Sequence, residues 1–228
     1  MKKLLILSSI ILIAGLSTNL FAQKDRTLSN GFSVNLIIGI PADTYGLTSD
    51  GKIDGNPVND QYKFSSIFGI QIGNRWYFKP KDNYGFGIMV NWVDISFAGK
   101  SGTESSADWG RVALDLSFLE VGPVGTFVLA DNLALDAYYN LRPTVFSNAF
   151  VWSYSSSSEA DEAYVYAGVG ISHAIGAALR YKIFNFGMEY VLGGIDSEGT
   201  YSSSSSDVTL KSQKNMTNCF RIKLGLKF

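Results

Sequence analysis

Beyond residue 22 the sequence has no apolar run near the roughly 20 consecutive residues that a transmembrane helix requires. With a mean hydropathy of only +0.09, a helical membrane protein is excluded. Cysteine is nearly absent. Cys219 stands alone, so no internal disulfide can form, and it does not sit in a metal-ligand spacing. Charge is scarce at 17% of residues, against about 25% in an ordinary soluble domain. Basic excess is also missing: 19 Lys and Arg face 20 Asp and Glu, which leaves no footprint for nucleic acid. What is abundant instead is aromatic residues, at 14%, and glycine, at 23. That balance suits a sheet with one face in lipid, and 228 residues suffice for one all-β domain with long loops.

The first 22 residues read as a secretory signal peptide. Lys2 and Lys3 make a basic start, Leu4 to Leu16 an apolar stretch, and Ser17 to Ala22 a small-residue exit. Cleavage is predicted after Ala22, and with no cysteine following it, lipid attachment there is not expected. A short N-terminal segment, 23–30, then leads into a barrel domain over 31–228. Without Lys2 and Lys3 the mature chain has 17 basic and 20 acidic residues, a net charge of −3.

A strand with lipid on one side and a polar lumen on the other alternates over about ten residues. That rhythm occurs eight times, over Gly31–Ile40, Phe64–Phe78, Gly85–Phe97, Arg111 toward Leu129, Leu133–Pro143, Tyr164–Ile183, Phe186–Gly193 and Met216–Phe228. In the fourth strand a bulge is expected at Gly122-Pro123, where proline removes a ladder donor. Short links at 79–84, 130–132 and 184–185 alternate with long ones at 41–62, 98–110, 146–163 and 194–215. Short turns at one end and long loops at the other, with the apolar face outside, predict an all-β fold: a transmembrane antiparallel up-and-down β-barrel of eight strands. A soluble lipocalin-like barrel has no reason for either feature.

The last nine residues put Phe220, Ile222, Leu224, Leu226 and Phe228 at every second position and end on an aromatic. This resembles the C-terminal assembly signal of outer-membrane barrels. With the signal peptide and eight strands, the chain resembles the small eight-stranded outer-membrane β-barrel family that includes the OmpA transmembrane domain and OmpX. The resemblance implies export to the bacterial outer membrane, contact with outer-membrane lipid, and folding by the barrel assembly machinery. Since nothing follows Phe228, the peptidoglycan-binding domain of OmpA proteins is not expected.

The predicted inward rows carry Arg75, Asp115, Asp136, Arg142, Arg180, Glu189, Arg221 and Lys223. Charges in a narrow bore must pair or be hydrated, and eight strands leave room for little beyond side chains. A two-residue turn at Phe184-Asn185 would set Arg180 opposite Glu189, with Arg221 at similar depth on the next strand. Arg180, Glu189 and Arg221 are therefore expected to form the ion cluster at the centre of the lumen. No catalytic residue, cofactor or metal is expected. His173 falls on the outward row and Ser172 on the inward one, so they cannot act as base and nucleophile. Glu159, Asp161 and Glu162 read as a solvated acidic loop. Trp76, Phe78, Trp92, Tyr139, Tyr181, Tyr190 and Phe228 read as interfacial girdles, and a carbohydrate contact through Trp109 or Trp152 has only their loop position behind it.

The four long links hold 4 basic and 12 acidic residues, and two of them contain the serine runs Ser155–Ser158 and Ser202–Ser206. Two functions follow from the pattern. One is a structural anchor presenting acidic, Ser-rich external loops for surface interaction, with a cationic or divalent-bridged partner favoured over a polyanion and nucleic acid excluded. The alternative is a small channel or transporter for ions or hydrophobic solutes.

Overall fold

A computed structural model describes residues 28–78, 80–104, 107–154, 161–203 and 206–228. The predicted signal peptide lies outside these residues, as do Ser155–Ser158 and part of the second serine run. The chain is almost wholly extended: β1 (Gly31–Pro41), β2 (Lys52–Ile53), β3 (Asn56–Pro57), a 3₁₀ turn (Asp60–Tyr62), β4 (Ile67–Phe78), β5 (Tyr84–Glu104), β6 (Ala107–Ala130), β7 (Leu133–Tyr154), β8 (Glu162–Tyr181), β9 (Phe184–Leu192), β10 (Gly194–Ser203), β11 (Ser206–Met216) and β12 (Cys219–Lys227). Eight of these close a ring in the order β1-β4-β5-β6-β7-β8-β9-β12, each antiparallel to its neighbours. No helix is long and apolar enough to cross a membrane among the described residues, so any crossing is made by strands.

The ladder pairs set the barrel's stagger. Followed once round the ring from Gly31 through Arg75, Met89, Gly122, Asn140, Ala174, Val191 and Cys219, the register returns to Pro41, ten residues up the same strand. Eight strands with that stagger tilt by about 40° and close round a bore only as wide as its side chains.

The pleat puts the apolar residues outside. On β1, Leu36, Ile38 and Ile40 are 50 to 64% exposed, whereas Ser33, Asn35 and Ile37 are buried. Beside the three short turns, Phe78, Phe86, Phe127, Tyr181, Phe184 and Phe228 all face outward and are exposed. An apolar belt edged by such a ring of aromatics is the surface of a barrel in lipid, since a monomer in water seldom leaves so much apolar area open.

Strand length divides the molecule. β1, β4, β9 and β12 have 9 to 12 residues, enough to cross the belt, while β5 to β8 have 20 to 24. These longer strands, with β10 and β11, continue past the belt as an open curved sheet in the order β11-β10-β8-β7-β6-β5. The hairpin β10-β11 joins the ring at a paired break, where Gly193 and Thr217-Asn218 leave the ladder together and Thr217 N–H donates to Gly193 O at 2.9 Å.

Four expectations need correction. The third, fourth and fifth strands run well beyond the predicted ends, whereas the sixth is displaced by two residues. The link 41–62 is not a free loop: it folds back into the upper mouth, burying Tyr45, Leu47, Ile53 and Tyr62. The turn between β8 and β9 is Lys182-Ile183, not Phe184-Asn185, so Tyr181 pairs with Phe184 and Arg180 with Asn185. This keeps Phe184 in the outward aromatic ring and lets Asn185 face inward, where its Nδ2 donates to Asn35 Oδ1 at 2.7 Å. Finally, the β6-β7 ladder does lapse at Gly122-Pro123, but the register is the same on either side, and the extra residue lies between Ser117 and Val121, where Leu119 has φ +53°. A matching irregularity in β5 lies at Trp92, and the two stand side by side, so β5 and β6 stay in register with each other.

Candidate functional site

Those two bulges decide what fills the bore. Past Trp92 the inward row of β5 changes from odd to even numbers, which turns in Asp94 and Ser96; past Leu119 the inward row of β6 does the same and turns in Glu120. Neither carboxylate was expected in the lumen. Their signal was present as adjacent apolar pairs, Trp92-Val93 and Phe118-Leu119, each interrupting an alternating run.

Asp94 and Glu120 join the central network. Asp94 receives Arg221 Nη2 at 2.7 Å and Nη1 at 2.9 Å. Glu189 receives Arg221 Nε at 2.7 Å, Lys223 Nζ at 2.6 Å and Tyr138 Oη at 3.0 Å. Glu120 receives Arg142 Nε at 2.5 Å and Asn91 Nδ2 at 2.7 Å, and Arg142 Nη2 reaches Asp115 at 3.4 Å. All of these ions are buried. Each base lies between two acids or each acid between donors, as low dielectric demands.

Glu189 and Arg221 thus meet as neighbours, directly opposed on β9 and β12. Arg180 does not sit in that group. With the turn two residues earlier it lies nearer the turn end, where Asp136 takes its Nε at 2.7 Å together with Arg75 Nη1 at 2.9 Å, and Tyr77 Oη accepts from its Nη2 at 3.0 Å. Lys223 fills the place beside Glu189 that was expected for Arg180.

Above the network the returning segment 42–66 stoppers the bore. Arg111 on β6 holds it, with Nη2 donating to Tyr45 O at 3.1 Å, Nη1 to Tyr62 O at 3.2 Å and Nε to Asn148 Oδ1 at 3.2 Å, while the guanidinium lies 4.3 Å from the Phe64 ring centre. Asn148 Nδ2 in turn donates to Gly46 O at 2.7 Å. Gly46 has φ +70°, and a Cβ there would fall 2.9 Å from Arg111 Nη2, so only glycine allows this approach. The backbone of Gly46 and Leu47 bonds both sides of Met216, and Tyr45 packs edge-on between Phe64 and Phe146.

The upper sheet carries rings on its inner face. Tyr62 of the returning segment packs against Trp109 at 4.8 Å and Phe150 at 5.0 Å, and the series continues through Trp152 and Tyr164 to Tyr201. Trp109 and Trp152 therefore stand on strands, not in loops. Two carboxylates sit among them: Glu104 accepts from Tyr62 Oη and from Gln61 Nε2, and Glu162 from Tyr201 Oη at 3.0 Å.

His173 lies on the lipid-facing side, its Nδ1 2.7 Å from Tyr139 Oη. Among the described residues no group of three or more His, Cys, Asp and Glu has metal-binding geometry. Phe220, Ile222, Leu224, Leu226 and Phe228 form one outward row on β12, and Phe228 exchanges backbone hydrogen bonds with Phe32 at 2.8 and 3.1 Å, closing the ring.

No protein-family model matches the chain, and no curated protein matches it in sequence. Solved structures match it in shape. The outer membrane protease OmpT from Escherichia coli aligns with a TM-score of 0.56 at 9% identity, covering 93% of this chain and 99% of that one. Ail, the attachment invasion locus protein of Yersinia pestis, solved in complex with the heparin analogue sucrose octasulfate, aligns with a TM-score of 0.45 at 12% identity over 87% of this chain and 97% of that one. The fold is that of a small outer-membrane β-barrel.

Proposed function

We propose that the chain is a non-enzymatic surface-interaction protein of the bacterial outer membrane, in which a plugged barrel anchors the long-strand sheet and its acidic, Ser-rich loops outside the cell. In this reading a signal peptide over 1–22 exports the chain, and the assembly machinery recognises the C-terminal row ending at Phe228. The observation that carries the reading is a double closure: paired buried ions occupy the bore, and the segment 42–66 is bonded across its mouth through Arg111. A conducting path would have to break both. The mass beyond the belt then has no task in transport and is free to make contacts. A protease reading, suggested by OmpT, finds little support in a chain whose one histidine faces lipid.

Two measurements test this. Protein refolded into planar bilayers should give no conductance steps, while Arg111→Ala combined with Glu189→Ala, which loosens the segment 42–66 and the ion network together, should give flickering ones. Steady steps from the unmodified protein would favour the channel instead. Protease added to intact cells should cut within 155–160, and protection of that segment would reverse the orientation.

A further inference from the structure

The rings on the upper sheet have carboxylates for neighbours and no base. On β5 above Lys100, β6 above Arg111, β7 above Asn148, β8 above Tyr166 and β10 above Gly199, the inward positions among the described residues hold no Lys or Arg. What they do hold is rings, hydroxyls, small residues and the acids Glu104 and Glu162. Nearby cations are spoken for elsewhere: Lys100 Nζ donates to Lys63 O at 2.8 Å, Lys63 pairs with Asp60 at 2.6 Å, and Lys52 with Asp50 at 2.7 Å. Trp152, Tyr164 and Tyr201 are only partly buried, unlike Trp109 and Phe150 beneath them. They follow one another across three adjacent strands, with ring centres 5.9 Å and 4.9 Å apart.

We infer that this mouth binds a basic peptide, seating an Arg or Lys side chain against Trp152, Tyr164 and Tyr201 with its charge met by Glu162, which stands opposite Trp152 and bonds to Tyr201. Aromatic faces attract a cation through their quadrupole, and most of all one carried on an apolar stem. A guanidinium also matches the fork of a carboxylate. Each acid already takes a phenol O–H, on Glu104 Oε2 and Glu162 Oε1, which fixes its position in advance of a ligand. The four long links carry 4 basic and 12 acidic residues, so the surrounding field draws a polycation in and repels a polyanion. A neutral saccharide could stack on the same rings but would gain nothing from that field.

The inference rests on the surface-interaction reading and names the partner's chemistry, so its test must be able to fail alone. The full chain, refolded in zwitterionic micelles, is titrated with tetra-arginine amide while tryptophan fluorescence is followed; Trp76 and Trp92 in the belt supply a constant background. Saturable quenching is expected, weakening with added salt and absent with tetraglutamate. Glu162→Gln and Trp152→Leu should each weaken binding by about tenfold, with the heat-modifiable gel band confirming that both variants are folded. Binding by both variants as tight as by the unmodified protein would overturn the site, since the peptide would then be held by loop charge alone, and the surface-interaction reading would stand. Absence of saturable binding, or quenching by maltohexaose in place of the peptide, would also overturn it.

Discussion

Glu189 receives hydrogen bonds from Arg221, Lys223 and Tyr138, and it is the carboxylate that pairs with Lys223. Removing its charge leaves Lys223 without an anion and Arg221 with Asp94 alone, in a bore where water cannot easily substitute. Breaking a buried pair in this way costs about 3–5 kcal/mol. Glu189→Ala should therefore lower the urea midpoint of the barrel in lipid vesicles by an amount of that order, and a loss below about 1 kcal/mol, typical of exposed pairs, would show the network to be well hydrated. The pairing of Glu189 with Arg221 was legible from alternation on two neighbouring strands. Arg180 was misplaced because a hairpin partner depends on the turn, and one shift of the turn moves every partner on that strand.

Turns and bulges are where element-scale structure departs from alternation. Lys182 has φ +55°, a conformation that costs a residue with a Cβ about 1 kcal/mol or more and costs glycine little. Lys182→Gly should accordingly raise the unfolding midpoint slightly, and a fall would mean that the lysine side chain matters more than its backbone. In the returning segment, Asp50 is held down to about 2 by the Lys52 ammonium and the Thr48 hydroxyl. A carboxylate depressed from 3.8 favours the folded hairpin fully above that value, and the benefit disappears as pH falls through about 2. Protection against hydrogen exchange at 48–57, measured relative to the intrinsic amide rate, should therefore fall between pH 4 and 2, and Asp50→Asn should remove that change. The bulges at Trp92 and Leu119 left a trace in the sequence, a doubled apolar residue, but not their effect. Which carboxylates they turn inward follows only once both strands are paired.

At the scale of the whole molecule, β12 closes on β1 through Phe228 and Phe32, so the last residue is both a girdle aromatic and a ring-closing one. Deleting Phe228, or replacing it with Asp, should reduce heat-modifiable protein in outer-membrane fractions and leave periplasmic material; unchanged levels would show that an inner part of the strand suffices. The sequence by itself determined the barrel, its strand count, the lipid-facing rows and the end that bears the long links. Each of these is set by a local alternation of apolar and polar residues, which the pleat converts directly into two faces. Tertiary structure alone decided the fate of 42–66, the grouping of Asp94 and Glu120 with Arg142 and Arg221, and the row of rings from Trp109 to Tyr201. These contacts join residues distant in the chain across a curved wall, and their geometry depends on ring stagger, bulge position and strand overshoot together, none of which a single strand's pattern encodes.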